Sequence, residues 1–149
     1  MTAAPHADAD ADGFGFAVST RVEIADTDLG GVVYYGNYAR LLDRALMAYR
    51  RELGIPELGP AGHLFVVRHL ACDYRRSARF GDELTVRIRT ARVGRSSHTV
   101  AYRIEDAVTG DVVATAEQVI VGVSGYDGGR PTRVPADLAA RLAAFEDDR

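Results

Sequence analysis

Apolar residues recur along this chain in two rhythms. From Phe14 to Ile24 they fall on a period of two, at Phe14, Phe16, Val18, Val22 and Ile24, the pattern of a half-buried strand. Between Tyr38 and Leu53 the spacing changes to threes and fours, at Leu41, Leu42, Ala45, Leu46, Tyr49 and Leu53, with Arg40, Asp43, Arg44 and Arg51 on the other side. That predicts one long amphipathic helix whose wide apolar arc lies deep against a sheet. Asn37 stands at its N-cap position, and Gly54 followed by Pro56 marks its stop.

Most of the remainder reads as strand: Leu64–Tyr74, Glu83–Val93, Ser97–Asp106 and Val112–Val123. In the second of these Leu84, Val86 and Ile88 share one face while Arg87 and Arg89 share the other. Tight turns at Gly94-Arg95-Ser96 and Thr109-Gly110-Asp111 join the last three into an antiparallel meander. A short helix is predicted from Pro135 to Glu146, and the stretch from Ala25 to Asn37 reads as a glycine-punctuated loop. Residues 1–13, an Ala/Asp alternation with nothing to pack, predict a disordered tail, which leaves 14–149 as one domain. One long helix and about five antiparallel strands make the fold class α+β.

Composition narrows the chemistry. The 149 residues are 47% hydrophobic and 26% charged, enough for a single core. A net charge of −3 argues against a dedicated nucleic-acid binder. No apolar run approaches the ~18 to 20 residues of a membrane helix, and the acidic start has no signal-peptide pattern. The single cysteine, Cys72, excludes an intrachain disulfide framework, fits a reducing cytoplasm, and sits mid-strand as a small core residue. All 18 basic residues are arginine, so lysine Schiff-base and general-base chemistry are excluded. The histidines, His6, His63, His69 and His98, are too scattered for a metal motif, and no glycine run fits a phosphate cradle. Gly122-Val123-Ser124-Gly125 lacks the second glycine and the following helix of a nucleophile elbow.

What remains is Asp26-Thr27-Asp28 ahead of a glycine turn that opens the long helix. Two readings stand at this point. The aspartates are turn residues that complement the helix dipole; or one is a carboxylate facing backbone N–H donors, an arrangement suited to attack on an acyl carbonyl.

The stretch from Val22 to Arg40, with Asp28, Gly30-Gly31, Val33-Tyr34-Tyr35-Gly36-Asn37-Tyr38, resembles the signature of the 4-hydroxybenzoyl-CoA thioesterase family of hotdog-fold enzymes. Asp73 to Leu84 resembles that family's second recurring stretch, and the likeness runs from about Val18 to Pro135. The resemblance implies a curved antiparallel sheet wrapped around the central helix. It also implies a homodimer or a homotetramer built as a dimer of dimers, with active sites at the subunit interface. By position Asp28 matches the family's catalytic carboxylate, as nucleophile or as general base, and the Tyr35 N–H its oxyanion donor. Gly36 would let the acyl group approach, with Tyr34, Asn37 and Tyr38 around it, although Asn37 also reads as a cap and the tyrosines as pocket wall or core.

Arg68 and His69 lie on the strand that in this family faces the partner's pocket; as strand neighbours, only one can point inward. Arg95 falls near the family's nucleotide-phosphate contact, while for any single one of Arg75, Arg76, Arg79 and Arg95 a solvated surface arginine is the weightier reading. Three positions depart from relatives. Tyr35 stands where tol-pal-type acyl-CoA thioesterases carry histidine, Asp28 where enediyne polyketide thioesterases carry asparagine, and Ser77 where proline is common. The expected activity is hydrolysis of an acyl thioester of coenzyme A or of an acyl carrier protein, a polyketide chain included, with no cofactor or metal. A hotdog dehydratase or hydratase, and a non-catalytic acyl-thioester binder, are the alternatives.

Overall fold

In the computed structural model, which describes residues 2–3, 13–60 and 63–147, the two rhythms resolve into one sheet and two helices. The strands are β1 (Thr2–Ala3), β2 (Phe16–Arg21), β3 (Leu64–Tyr74), β4 (Glu83–Val93), β5 (Ser97–Asp106) and β6 (Val112–Val123). They form one antiparallel sheet in the order β1-β2-β4-β5-β6-β3. The long helix α1 (Tyr38–Glu52) connects β2 to β3, and α2 (Ala136–Asp147) closes the chain. Of the stretch expected to be a disordered tail, Thr2 and Ala3 pair with Ser19 and Val18; residues 1 and 4–12 lie outside the described ones.

The core lies between α1 and the inner face of the sheet. Leu41, Leu42, Ala45, Leu46 and Tyr49 of the helix meet Leu84, Val86 and Ile88 of β4, Val100, Tyr102 and Ile104 of β5, and Ala114 and Ile120 of β6. Each buried Leu, Ile or Val contributes about 1.5–3 kcal/mol. Register shifts on three strand pairs, at Val67/His69, Thr90/Arg92 and Ile104/Glu105, each insert a residue and bend the sheet around the helix.

The first long strand, β2, is shorter than its alternation predicts. Val22 is buried, but the chain leaves the sheet after Arg21 because the Asp26 carboxylate accepts the Glu23 N–H at 2.9 Å and folds Ile24–Asp26 into a 3-10 turn. The stop of α1 is as expected. Gly54 takes φ +66°, and the Ile55 N–H bonds back to the Arg50 carbonyl at 2.8 Å. The start is not: Asn37 makes no side-chain cap, and α1 is entered through a 3-10 turn, Tyr35–Asn37, with Tyr34 ahead of it.

Beyond Gly54 a second cluster of Ile55, Val134, Leu138 and Leu142 seats α2, and the Arg141 guanidinium donates to the Gly54 carbonyl at 2.7 Å. Several polar groups buried near this end have partners, although the His63 Nε2, buried here as well, has none among the described residues. Tyr49 bonds to Thr90 at 3.0 Å, the Tyr102 hydroxyl donates to Gln118 at 2.7 Å, and Arg50 stacks over Phe65 at 4.1 Å.

Edge strand β3 differs from the others. Its inner row is Phe65, Val67, Leu70, Cys72 and Tyr74, opposite Gly122, Ile120, Gln118, Ala116 and Ala114 of β6. Yet Val67, Leu70 and Tyr74 are 52%, 40% and 50% exposed, and no strand of the described residues pairs with its far edge. Cys72 is half-buried and packs against the core, as its place in the sequence predicts.

Candidate active site

The segment between β2 and α1 is organised by Asp26, which is buried. Its carboxylate holds the Glu23 N–H; its carbonyl accepts both the Tyr34 N–H and the Asn37 side-chain amide, each at 3.0 Å. Asn37 therefore ties the helix start back to Asp26 and does not cap α1. Between these anchors the chain makes a small hairpin, bridged at Thr27 and Val33, with the Asp28 N–H donating to Val32 at 2.9 Å. Gly31, at φ +73°, closes its tip. The β3–β4 connection backs the hairpin, through Val33 N–H to the Ala78 carbonyl at 2.8 Å and a bridge from Val32 to Arg79.

Asp28 is exposed at that tip, and its Oδ1 accepts the Gly30 N–H at 2.7 Å. A Cβ on Gly30 would stand 3.0 Å from the same oxygen, so glycine is what lets the carboxylate lie against its own turn. Asp28 is thus a turn residue, as the first reading has it, and the turn leaves its carboxylate exposed to solvent.

Seven residues on, at Tyr35, the 3-10 entry turn of α1 begins. The first bond of the entry turn runs from the Asn37 N–H to the Tyr34 carbonyl at 2.8 Å, and the next from Tyr38 to Tyr35. The Tyr35 and Gly36 N–H groups precede any helical acceptor and are the orphan donors of this helix end. They sit at the positive end of the helix dipole. Tyr35 is 65% exposed and its ring lies 4.5 Å from that of Tyr34. The hydrogen bond between these side chains raises the Tyr34 phenol above its ordinary range. The space over Gly36 belongs to Tyr34, whose ring would stand 2.9 Å from a Cβ there. Tyr38 is buried in the core, its phenol raised by burial, and meets the Tyr74 ring edge-on at 5.1 Å between centroids.

Asp28, Tyr34, Tyr35, Gly36, Asn37 and Tyr38 are thus one assembly. Arg68, His69 and Arg95 lie elsewhere. The strand alternation that placed one of Arg68 and His69 inward breaks at this point. A bulge leaves Arg68 without a partner on β6 and sets His69 opposite Val119, while Val67 and Leu70 fill the inner row. Arg95 is in the β4–β5 turn, where its carbonyl accepts the Val134 N–H at 2.8 Å. It lines an open cleft of about 940 Å³ with Gly94, Arg133, Val134, Pro135, Ala136 and Ala139. This is the end at which α1 finishes, and the 15 residues of α1 separate it from Tyr35 by about 22 Å.

Three contributors escaped the sequence reading. The buried hub is Asp26, although the motif drew attention to Asp28. Arg133 joins Arg95 only through the path of the C-terminal segment. Tyr74, whose hydroxyl donates to the Tyr35 carbonyl at 3.1 Å, is 39 residues away along the chain. Its sole local signal is its position at the end of a strand, before an arginine-rich loop.

One antiparallel sheet packed against one long helix defines a hotdog fold. The chain belongs to the thioesterase superfamily, whose model matches residues 30–113, a span that begins two residues after Asp28. It is 38% identical over 82 residues to the acyl-CoA thioesterase YbgC of Haemophilus influenzae, covering 53% of this chain and 60% of that protein. To the acyl-CoA thioester hydrolase YbgC of Escherichia coli O157:H7 it is 28% identical over 129 residues, covering 85% of this chain and 95% of the relative. A thioesterase from Thermus thermophilus, solved with coenzyme A and Zn, superposes with a TM-score of 0.78 at 29% identity, over 91% of this chain and 97% of that one. Among the described residues no helix is long and apolar enough to cross a membrane, and no three His, Cys, Asp or Glu side chains are grouped to hold a metal.

Proposed function

We propose that this protein hydrolyses acyl-CoA thioesters, with Asp28 as the catalytic carboxylate and the Tyr35 N–H as the oxyanion donor. One observation carries the reading: a solvent-facing carboxylate, fixed through one oxygen by Gly30 at 2.7 Å, shares a loop with the unused N–H groups that open α1. A thioester carbonyl set against the Tyr35 N–H gains charge on oxygen as its carbon is attacked, and such a donor contributes about 3 kcal/mol to the transition state. Asp28 attacks that carbon, expelling the thiolate and leaving an anhydride for water to open, or it takes the proton of an attacking water. Both routes convert thioester and water into free acid and thiol.

The working unit in this reading is a pair of chains joined edge to edge through β3, which among the described residues is bare on its far side and is apolar on its inner row. Within one chain the C-terminal end of β3 meets the start of α1, through Tyr74 and Tyr35, while its N-terminal end meets the close of α1, through Phe65 and Arg50. Antiparallel pairing about a two-fold axis therefore brings the Arg95 end of one copy toward the Asp28 end of the other. Arg95 and Arg133 then receive the phosphates of coenzyme A, and Val67 and Leu70 line the acyl path. Coenzyme A is favoured over an acyl carrier protein by that pair of arginines.

The deciding experiment is thiol release from a panel of acyl-CoA substrates by the parent, Asp28→Asn and Asp28→Ala. Loss of turnover in both variants, with the fold intact, is the expected result. Undiminished turnover in both removes Asp28 from the mechanism, and no release by the parent on any thioester favours the non-catalytic binder.

A further inference from the structure

Tyr74 ends β3 on the inner row, opposite Ala114, a side chain too small to obstruct it. Its ring is steadied edge-on by Tyr38, which is only 3% exposed and so fixed in the core. Its hydroxyl donates to the Tyr35 carbonyl at 3.1 Å. That carbonyl also accepts the Tyr38 N–H, and a carbonyl oxygen has two lone pairs for the purpose. The Tyr35 carbonyl and the Gly36 N–H are two sides of one planar peptide unit, so a restraint on the first orients the second. A restraint is needed here, because glycine on one side of that unit leaves it the widest backbone freedom in the entry turn.

We infer that Tyr74 is a positioning residue: its hydroxyl, through the Tyr35 carbonyl, aims the Tyr35–Gly36 peptide and with it the unused Gly36 N–H at the start of α1. Burial, then the neighbouring Cys72 thiol, raises the Tyr74 phenol, so it stays a donor through neutral and mildly alkaline pH. The same residue terminates the bare edge strand. The aim of that donor is thereby tied to the strand on which a second copy would seat. What it does for a thioester rests on the function proposed above; its orientation does not.

The test compares the parent with Tyr74→Phe, which keeps the ring against Tyr38 and removes only the hydroxyl. Two measurements are made: kcat and KM on an acyl-CoA, and the backbone amide resonance and hydrogen exchange of Gly36. The expected result is a fall in kcat of about tenfold with KM within about twofold of the parent. The Gly36 amide shifts and exchanges faster, while those of Gly94 and Gly110 stay put. An unmoved Gly36 amide overturns the inference whatever the rate does. If the parent hydrolyses no thioester, the functional reading fails alone, and the Gly36 amide still decides the role of Tyr74.

Discussion

At its C-terminal end α1 runs into a packed shell. Gly54 turns the chain, Arg50 lies on Phe65, His98 is buried beside them, and Leu138 of α2 closes the cluster behind. At its N-terminal end the same helix opens into a loop where Asp28, Tyr34, Tyr35 and Gly36 are exposed and two amides have no helical acceptor. One end buries its polar groups and pairs most of them, His63 Nε2 excepted; the other holds them in place and leaves them unspent. The lesson concerns where order comes from. The exposed end is not loose, since Asp26, Asn37 and Tyr74 pin its backbone from behind while leaving the front clear.

Substitutions at the two ends should therefore separate activity from stability. The largest effect is at Asp28: Asp28→Asn lowers kcat by about 10² to 10⁴-fold and leaves the thermal midpoint near that of the parent. A parallel loss of midpoint in melting curves would merge the two ends into one. The opposite separation comes from His98, whose pKa is pushed down to about 4 by burial, then by Arg50 and His63. Its ordinary value of 6.5 applies in the unfolded chain. Above pH 6.5 neither state binds the proton. Between pH 6.5 and 4 only the unfolded state does, so stability falls on acidification by about 3 kcal/mol and then levels. Urea titrations at pH 7, 5.5 and 4 on the parent and His98→Phe check this, the variant losing that part of the slope.

Smaller changes sharpen the comparison at each end. Gly30→Ala places a Cβ against the Asp28 carboxylate, and kcat should fall about tenfold with little change in unfolding midpoint. Arg95→Ala, at the far end, should raise KM about three- to tenfold for acyl-CoA and leave KM for the matching acyl-pantetheine unchanged. Equal effects on the two substrates would take Arg95 out of phosphate recognition.

Legibility in the sequence followed the range of the interactions. Periodicity located α1 and β4 to β6 because burial against a single face repeats locally, and Gly54 declared its stop through a preference a single residue carries. The candidate carboxylate was singled out only by the family resemblance around Asp28, since the residues alone left a turn reading open beside it. The failures share a cause. Asn37 has the chemistry of a cap, and only the path of the loop shows that Asp26 claims its amide. Alternation could not resolve Arg68 from His69, because a bulge suspends the alternation there. Tyr74 acts across 39 residues, and no local pattern announces a bond of that reach.

The bare edge of β3 bears also on how the protein survives its own synthesis. Eleven residues whose outer row of backbone donors and acceptors pairs with no strand among the described residues are a template for any extended segment that arrives first. The Arg68 bulge interrupts that template near its middle, and the charge beside it disfavours an apolar stranger. A chain lacking the bulge would offer a smoother edge and, in a crowded cell, a shorter route to aggregation than to assembly.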